Sequence, residues 1–328
     1  MNRAILLLLL AAPLHAAHPL PPSAIESAQA QVRGRQFFAP RNPYAQAGTP
    51  AAPDLYPGES ADLGPQYLLL QQQPARTWFE AGIDAQYYYT SNVSLTEKGN
   101  ADTGVVLTTI HAEFAPPAFA LAGGELAVRA GYRHQRYNYG LDSTANQLNN
   151  LDFDVGTVYL GGRWTFRENW RASLGLDYNR YLSHESDWAE FYTELLPQWG
   201  LERTFTVGAK DSLSLSYFGG YHFTYSDPDP TTHSNDRLDT ILALAYSHEL
   251  RPGLVLQPFY RWQQSHYTEN TDRNDVFHTV GVTVAYFFNE WAAVRFFSSF
   301  EVRDSTDSSI QDYHKWDTGG GVAFAVRF

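Results

Sequence analysis

The chain contains no cysteine among its 328 residues. This absence excludes a disulfide framework, a thiolate metal site and a cysteine nucleophile, and it leaves the cellular compartment open. Basic residues are also scarce: 23 Lys and Arg face 35 Asp and Glu, which gives a formal net charge of −12. This balance argues against nucleic acid and against an anionic membrane surface as the main partner.

Long hydrophobic runs are missing as well. After residue 20 no stretch approaches the roughly 18 consecutive apolar residues that a membrane-spanning helix requires. A helical membrane bundle is therefore excluded, and any crossing of a membrane must use strands. Aromatic residues, in contrast, are abundant at 15%, with 21 Tyr and 8 Trp. This content is high for a cytosolic enzyme and typical of a membrane barrel with aromatic girdles at both interfaces.

The first 77 residues fall into two segments. Residues 1–17 combine Arg3, an apolar core and small residues at 16 and 17, which is the pattern of a signal peptide. Residues 18–77 are rich in Pro, Ala and Gln and show no sustained periodicity. We predict that the protein is exported and that residues 18–77 form a mostly unstructured periplasmic segment.

From Trp78 onwards, apolar and polar residues alternate in stretches separated by turn residues. The stretches run about eleven to fifteen residues, enough to cross a bilayer at a tilt, whereas the strands of an exported β-sandwich or propeller are nearer six. We predict that residues 78–328 form an all-β transmembrane up-and-down antiparallel β-barrel of about 12 strands. The predicted strands are 79–89, 103–115, 125–137, 153–166, 170–182, 191–203, 212–225, 238–249, 254–267, 276–288, 291–303 and 316–328.

The connections between these strands alternate in length. Tight turns at 167–169, 251–252 and 289–290 contrast with longer polar loops at 91–102, 138–152, 226–237, 269–275 and 304–315. Outer-membrane barrels have short periplasmic turns and longer extracellular loops. The sequence therefore predicts both termini in the periplasm and extracellular loops around Glu97, Asn146, Thr232, Asp272 and Ser308.

At three places the sequence departs from the pattern of a regular strand. Pro197 and Pro258 fall inside strands, where each removes a ladder hydrogen bond, and we expect a bulge or a shifted register at either site. In the fourth strand the parity slips between Phe153 and Trp164, which indicates a further bulge.

The last thirteen residues read WDTGGGVAFAVRF. Alternate positions up to Phe328 are mostly apolar, and the intervening ones are small or polar. This ending resembles the C-terminal signature of bacterial outer-membrane β-barrel proteins, an aromatic last residue preceded by alternate apolar positions. The resemblance implies that Phe328 serves as an assembly signal recognised by the barrel-assembly machinery.

Charges of both signs fall on the face that points into the predicted barrel. The interpretation we favour is a wet, selective channel, in which Arg129, Arg133, Arg163, Arg171 and Arg295 form a cationic strip. The alternative is a packed interior in which arginines and carboxylates merely pair with one another. The predicted lumen-lining charges are Arg129, Arg133, Arg163, Arg171, Arg261, Arg295, Glu80, Asp84, Glu113, Glu194 and Glu301.

Two weaker patterns point to other chemistry. His184 and Ser186 have the spacing of a base and nucleophile on one strand face, and the pair resembles that of outer-membrane phospholipase A, although the surrounding motif is missing. Acidic loops at 226–229 and 304–307 could collect divalent cations, but solvated loop tips are the better interpretation. The histidines lack metal-binding spacing, and we predict no metal and no cofactor.

Residues 87–96, reading YYYTSNVSLT, end the first predicted strand. They resemble the opening of a family of putative β-barrel porins, in which an aromatic strand runs into Ser-Asn-Val, although Thr90 stands where Asp is expected. The resemblance implies an outer-membrane porin-like protein, sometimes associated with exopolysaccharide export.

We therefore predict a monomeric, non-enzymatic barrel in the outer membrane that passes or binds a small hydrophilic solute or saccharide. Its other partners are outer-membrane lipid and lipopolysaccharide. The alternatives are a non-conducting accessory of an exopolysaccharide-export or envelope complex and a lipid-acting barrel hydrolase.

Overall fold

The computed structural model describes residue 28 and residues 78–328, apart from 98–100, 140–150, 168, 185–187, 227–234 and 270–272. The predicted signal peptide and nearly all of the predicted periplasmic segment lie outside the described residues. In the described part the chain forms strands β1 (Phe79–Thr90), β2 (Thr103–Phe114), β3 (Phe119–Leu121), β4 (Gly124–Tyr139), β5 (Phe153–Phe166), β6 (Trp170–Ser183), β7 (Ala189–Gly208), β8 (Asp211–Ser226), β9 (Arg237–Arg251), β10 (Leu254–Tyr267), β11 (Asn274–Phe287), β12 (Ala292–Ser305) and β13 (Tyr313–Arg327).

The strands pair in antiparallel fashion and close into a ring. β1 pairs with both β2 and β13, and the pairings run from β13 back through β12 to β4. β4 then pairs with β2, from Phe114 opposite Ala130 to Val105 opposite Tyr139, which completes the ring. The twelve long strands thus form the up-and-down barrel predicted from the sequence.

β3 is a short additional strand that two prolines create. Pro116 and Pro117 interrupt the ladder after β2, because proline has no backbone N–H to donate. The chain resumes as β3, where Phe119 lies opposite Leu126 and continues the line of β2 along the edge of β4. Ala122 and Gly123, both with positive φ, then turn the chain into β4.

The two ends of the barrel differ in their connections. Short turns, such as residues 209–210 and 252–253, lie at one end, which we call the turn end. Longer connections, such as residues 91–102 and 306–312, lie at the other, the loop end. The rule for outer-membrane barrels predicts that the turn end faces the periplasm.

The outward face of the barrel is apolar through its middle. Leu174 is 72% exposed there, and Phe296, Val280 and Leu160 are exposed on the same surface. A large exposed apolar surface is costly in water and is what the lipid-facing side of an outer-membrane barrel presents. Aromatic side chains border it at the turn end, where Trp78 packs on Phe114. The protein is an outer-membrane β-barrel, which confirms the predicted location.

The prediction of bulges at the two prolines and in the fourth predicted strand is wrong. Pro197 lies opposite Leu176, and Pro258 lies opposite Val282, without a register shift at either site. β5 keeps one register with both neighbours. A missing N–H removes a hydrogen bond but requires no extra residue, so the strand can continue in register.

The register shifts occur elsewhere. Tyr181 lies opposite Tyr192, whereas the next residue, Leu182, lies opposite Glu190, so Phe191 is the extra residue of a bulge in β7. Further shifts fall near the turn end, between Thr206 and Gly208 and between Leu254 and Val255.

Among the described residues, no helix has the length and apolarity needed to cross a membrane. Ala28 is helical and 2% exposed, and it belongs to the same buried apolar cluster as the inward-facing Tyr88, Tyr137 and Phe153. Ala28 therefore lies inside the barrel. Around this cluster the inward side chains of the loop-end half are buried, and we call this region the filled half.

Candidate functional site

The turn-end half of the barrel contains a cavity of about 630 Å³. Inward residues of β1, β2 and β4 to β10 form its wall. Arg129 and Arg163 are exposed toward the turn end, so the cavity communicates with solvent on that side. Toward the loop end it is bounded by the buried Tyr181, Glu194 and Arg237.

Four of the predicted lumen arginines share one side of this cavity, which we call the arginine wall: Arg129 and Arg133 on β4, Arg163 on β5 and Arg171 on β6. The antiparallel register brings them together. Arg163 lies opposite Ala127, diagonally next to Arg129, and Arg171 lies opposite Thr165, diagonally next to Arg163. The inward-facing positions of three adjacent strands therefore place positive charges next to one another.

Three of these arginines have no carboxylate partner. Arg171 pairs with Glu202 of β7, but among the described residues no carboxylate lies within ion-pair distance of Arg129, Arg133 or Arg163. The Nε of Arg133 is buried without a described hydrogen-bond acceptor. Because like charges repel and a buried cation loses hydration, an anion is stabilised at this wall.

Two carboxylates of the cavity, in contrast, are held by protein donors. Glu80 accepts a hydrogen bond from Arg327 Nε at 2.6 Å and lies 3.6 Å from His111 Nε2. Glu113 accepts a hydrogen bond from the hydroxyl of Tyr159 at 2.9 Å. These bonds fix Glu80 and Glu113, whereas the guanidinium donors of Arg129, Arg133 and Arg163 remain available to a ligand.

A buried ionic network closes the cavity toward the filled half. His222 places Nδ1 2.8 Å from Glu194 and Nε2 3.1 Å from Asp239. Arg237 Nε lies 3.3 Å from the second oxygen of Asp239, and Asn179 donates to Glu194 at 2.8 Å. The sequence predicts Glu194 as a lumen residue and misses the other three charged members. The alternation of residues along β8 and β9 assigns all three to the inward face, and this pattern is the sequence signal that identifies them.

The remaining predicted lumen charges lie away from the cavity. Arg261 is 2% exposed and donates to Glu301 at 2.7 Å in the filled half. Asp84 pairs with Arg295 between β1 and β12. These four residues form two ion pairs and neutralise one another. In this part of the lumen the arginines and carboxylates therefore pair as in the alternative of a packed interior. Arg295 therefore does not continue the arginine wall, because parity assigns a residue to a face but not to a position around the barrel.

Glycine leaves the space beside the arginine wall. Gly161 faces inward opposite Arg129, and a Cβ added there would meet only Leu174 O, at 3.5 Å. Gly175 lies opposite Gly161 on β6. The side chain of Gln198 occupies the space beside Gly175, 3.1 Å from where a Cβ would lie, so the open space is at Gly161, level with Arg129.

The predicted His-x-Ser pair falls partly outside the described residues, since Ser186 is not among them. His184 points outward, its Nε2 lies 2.7 Å from Asp154, and its Nδ1 lies 3.2 Å from Arg136 Nη2. Because a guanidinium only donates, Nδ1 is the acceptor and Nε2 carries the proton. Both ring nitrogens are occupied, so neither is available to take a proton from a serine.

The acidic loops show local bonding. Residues 227–229 lie outside the described residues. Asp307 accepts hydrogen bonds from Ser309 Oγ at 2.7 Å and Ser309 N at 2.9 Å, which lower the pKa of its carboxyl. Within the described part of the chain, no group of three or more His, Asp or Glu side chains is placed to hold a metal ion.

The barrel is similar to several solved outer-membrane structures at low sequence identity. The β domain of the Bordetella autotransporter Brka is 12% identical, with 76% of this chain and 100% of that chain covered and a TM-score of 0.44. An outer membrane channel from Pseudomonas putida F1 is 11% identical, with 76% and 96% covered and a TM-score of 0.47. The KdgM porin is 10% identical, with 74% and 98% covered and a TM-score of 0.38. No protein-family model matches the sequence, and no curated protein matches it.

Proposed function

We propose that the protein is a porin-like channel of the outer membrane that passes or binds a small hydrophilic solute or saccharide, with a preference for anions. The arginine wall carries this proposal. Arg129, Arg133 and Arg163 line a cavity of about 630 Å³ that opens toward the turn end. A carboxylate or phosphate in the cavity would accept charge-assisted hydrogen bonds that no described carboxylate takes up.

The negative net charge of the chain does not oppose an anion preference. Charges on solvated loops are screened within about 8 Å at physiological ionic strength. Charges that line a confined space with low-dielectric walls act more strongly on a passing ion. Arg129, Arg133 and Arg163, which lack a described carboxylate partner, therefore act on a passing ion more strongly than the loop charges that contribute to the formal −12 of the whole chain.

Recording of single channels in planar bilayers tests this proposal. We expect the purified full-length protein to conduct, with a reversal potential in a salt gradient that shows anion preference. The double variant Arg129→Ala/Arg133→Ala removes half of the arginine wall and should weaken that preference.

The chain offers a matched control for this measurement. Asp84→Asn/Arg295→Gln removes one paired charge of each sign from the same lumen, so the net charge of the lining stays the same and selectivity should not change. Cation preference in the wild type, or an equal shift in the control, would show that the arginine wall does not set selectivity.

A second candidate is a non-conducting accessory of an exopolysaccharide-export or envelope complex, and the filled half favours it. Glu301 contacts Arg261 at 2.7 Å and Lys315 at 3.7 Å, and Tyr313 donates to it at 2.9 Å. This buried cluster lies where a continuous water path would run. Absence of conductance together with binding of an anionic saccharide would favour the accessory over the channel.

A further inference from the structure

A polar cluster interrupts the outer surface of the barrel at the loop end. Tyr132 and Tyr178 are 46% and 39% exposed on the lipid-facing side. Because residues two apart in a strand share a face, His134 and Arg180 point outward as well. We call it the rim cluster, and it consists of His134, Arg136, Arg180, His184 and Trp188.

The register gives the level of this cluster in the membrane. Tyr132, Val158 and Tyr178 stand side by side in one row across β4, β5 and β6. His134 and Arg180 occupy the next outward-facing row toward the loop end, and Arg136 the row after that. Successive rows on one face are about 7 Å apart along a strand. The cluster therefore lies beyond the interfacial tyrosines, at the level of lipid headgroups.

A buried carboxylate organises the rim cluster. Asp154 has a fully buried side chain, 3.0 Å from His134 Nε2 and 2.7 Å from His184 Nε2. His184 Nδ1 accepts a hydrogen bond from Arg136 Nη2 at 3.2 Å. Asp154 thus fixes the imidazole of His184 and, through it, the position of Arg136, and it lies beside the ring of His134.

The two arginines keep donors on the exposed side. Arg136 is exposed, its guanidinium lies 5.7 Å from the ring centre of Trp188, and its Nε donates to Asn138. Among the described residues no carboxylate lies within ion-pair distance of it. Arg180 uses Nε to bond Glu190 at 2.6 Å, and its η nitrogens have no described hydrogen-bond partner. Asp154 lies directly opposite Arg136 in the same outward-facing row, and its two oxygens face His134 and His184.

We propose that the rim cluster binds a phosphate group of a lipopolysaccharide molecule in the outer leaflet. Arg136 and Arg180 would donate to the phosphate, since a planar guanidinium matches phosphate oxygens in a bidentate geometry. Trp188 and Tyr178 present amphipathic rings to the sugar and to the upper acyl chains. The link from Asp154 through His184 holds Arg136, and Glu190 holds Arg180, before the lipid arrives, which lowers the entropic cost of binding.

Native mass spectrometry of the full-length barrel in mild detergent tests this site. The probes are purified lipid A with its phosphates, the same lipid after enzymatic dephosphorylation, and inorganic phosphate. The variant is Arg136→Gln/Arg180→Gln. The control is Arg203→Gln, which removes an exposed outward arginine at the turn end, where Arg203 packs on Trp170 and Phe205.

We expect the wild type to retain phosphorylated lipid A, and the double variant to bind it about tenfold more weakly, because two charged donors are lost. The control should bind as the wild type does. Equal retention of the dephosphorylated lipid, an equal loss in Arg203→Gln, or saturation by inorganic phosphate alone would overturn the proposal. The comparison of the lipids on the wild type decides the question even if the double variant assembles poorly.

Discussion

Phe79 and Phe328 join the first and last strands of the barrel at the turn end. Phe79 N donates to Phe328 O and Phe328 N donates to Phe79 O, each at 3.0 Å, and their rings stack with centres 6.1 Å apart. Trp78 N donates to the same Phe328 oxygen at 3.0 Å. The first residue of β1 and the last residue of the chain thus form a closing pair at the turn end.

Phe328→Asp should lower the yield of assembled barrel. The ring of Phe328 is 65% exposed on the outer face, so a carboxylate there costs a few kcal/mol at most in the finished barrel. The larger effect should fall on assembly. Comparing the amount of heat-modifiable, folded protein in the membrane of the variant and the wild type measures it, and unchanged levels would contradict the role of Phe328 as an assembly signal.

Glu301→Ala should destabilise the barrel strongly. Glu301 is 3% exposed and sits between Arg261 and Lys315, so its removal breaks a buried ion pair with Arg261, at a cost of about 3–5 kcal/mol. Guanidinium unfolding in detergent gives the loss of stability. Glu125→Gln, at an exposed inward position, is the control and should change stability by no more than about 0.5 kcal/mol.

Cysteines in this cysteine-free chain should report the orientation of the barrel. We expect Glu97→Cys and Ser308→Cys, at the loop end, to react with an impermeant maleimide on intact cells. Asn169→Cys and Asn289→Cys, at the turn end, should react only after the outer membrane is opened. Labelling of the second pair on intact cells would reverse the orientation. The predicted loops around Asn146, Thr232 and Asp272 lie outside the described residues and can be labelled in the same way.

Ala28→Cys tests the position of Ala28 inside the barrel. Because Ala28 is 2% exposed within the apolar cluster of the filled half, a cysteine there should resist maleimide in the folded protein and react after heat unfolding. Ser308→Cys in the same preparation shows that the reagent is active. Equal reaction rates of the two cysteines in the folded barrel would place residue 28 outside the lumen.

Gly161 permits a graded test of the cavity. Since a Cβ at Gly161 meets only one atom within van der Waals distance, Gly161→Ala should be tolerated, and Gly161→Leu should fill space beside Arg129 without abolishing assembly. We expect conductance, or affinity for an anionic solute, to fall from wild type to alanine to leucine. Loss of assembly already with alanine would show that the position is packed.

The sequence alone predicts all twelve barrel strands, because alternation along a strand is a local property. The positions of the bulges are not local. Phe191 is the extra residue in β7 because of how that strand meets β6 near the loop end, and nothing in its neighbours along the chain marks it. Pro197 draws attention as a strand breaker, yet the strand passes through it in register. β3 also escapes prediction, since three residues are too few to show a period.

For the candidate site, the sequence predicts only which side chains point into the barrel. Parity places Arg129, Arg163 and Arg261 inward alike, but the ring position and the height of each strand decide that Arg261 meets Glu301 while Arg129 and Arg163 meet one another. These relations depend on register between strands, which a single sequence does not contain. For the same reason the contacts of His222 with Glu194 and Asp239 could not be predicted.

The contrast between the filled half and the open cavity has a kinetic consequence. With the loop end outside, a molecule in the periplasm reaches Arg129 by diffusion alone. A molecule in the medium first meets the filled half, where buried ion pairs such as that of Arg261 and Glu301 narrow the lumen. Equilibrium binding is the same by either route, but the rates of arrival differ. The occupancy of the cavity therefore follows the composition of the periplasm and responds to the medium only with delay.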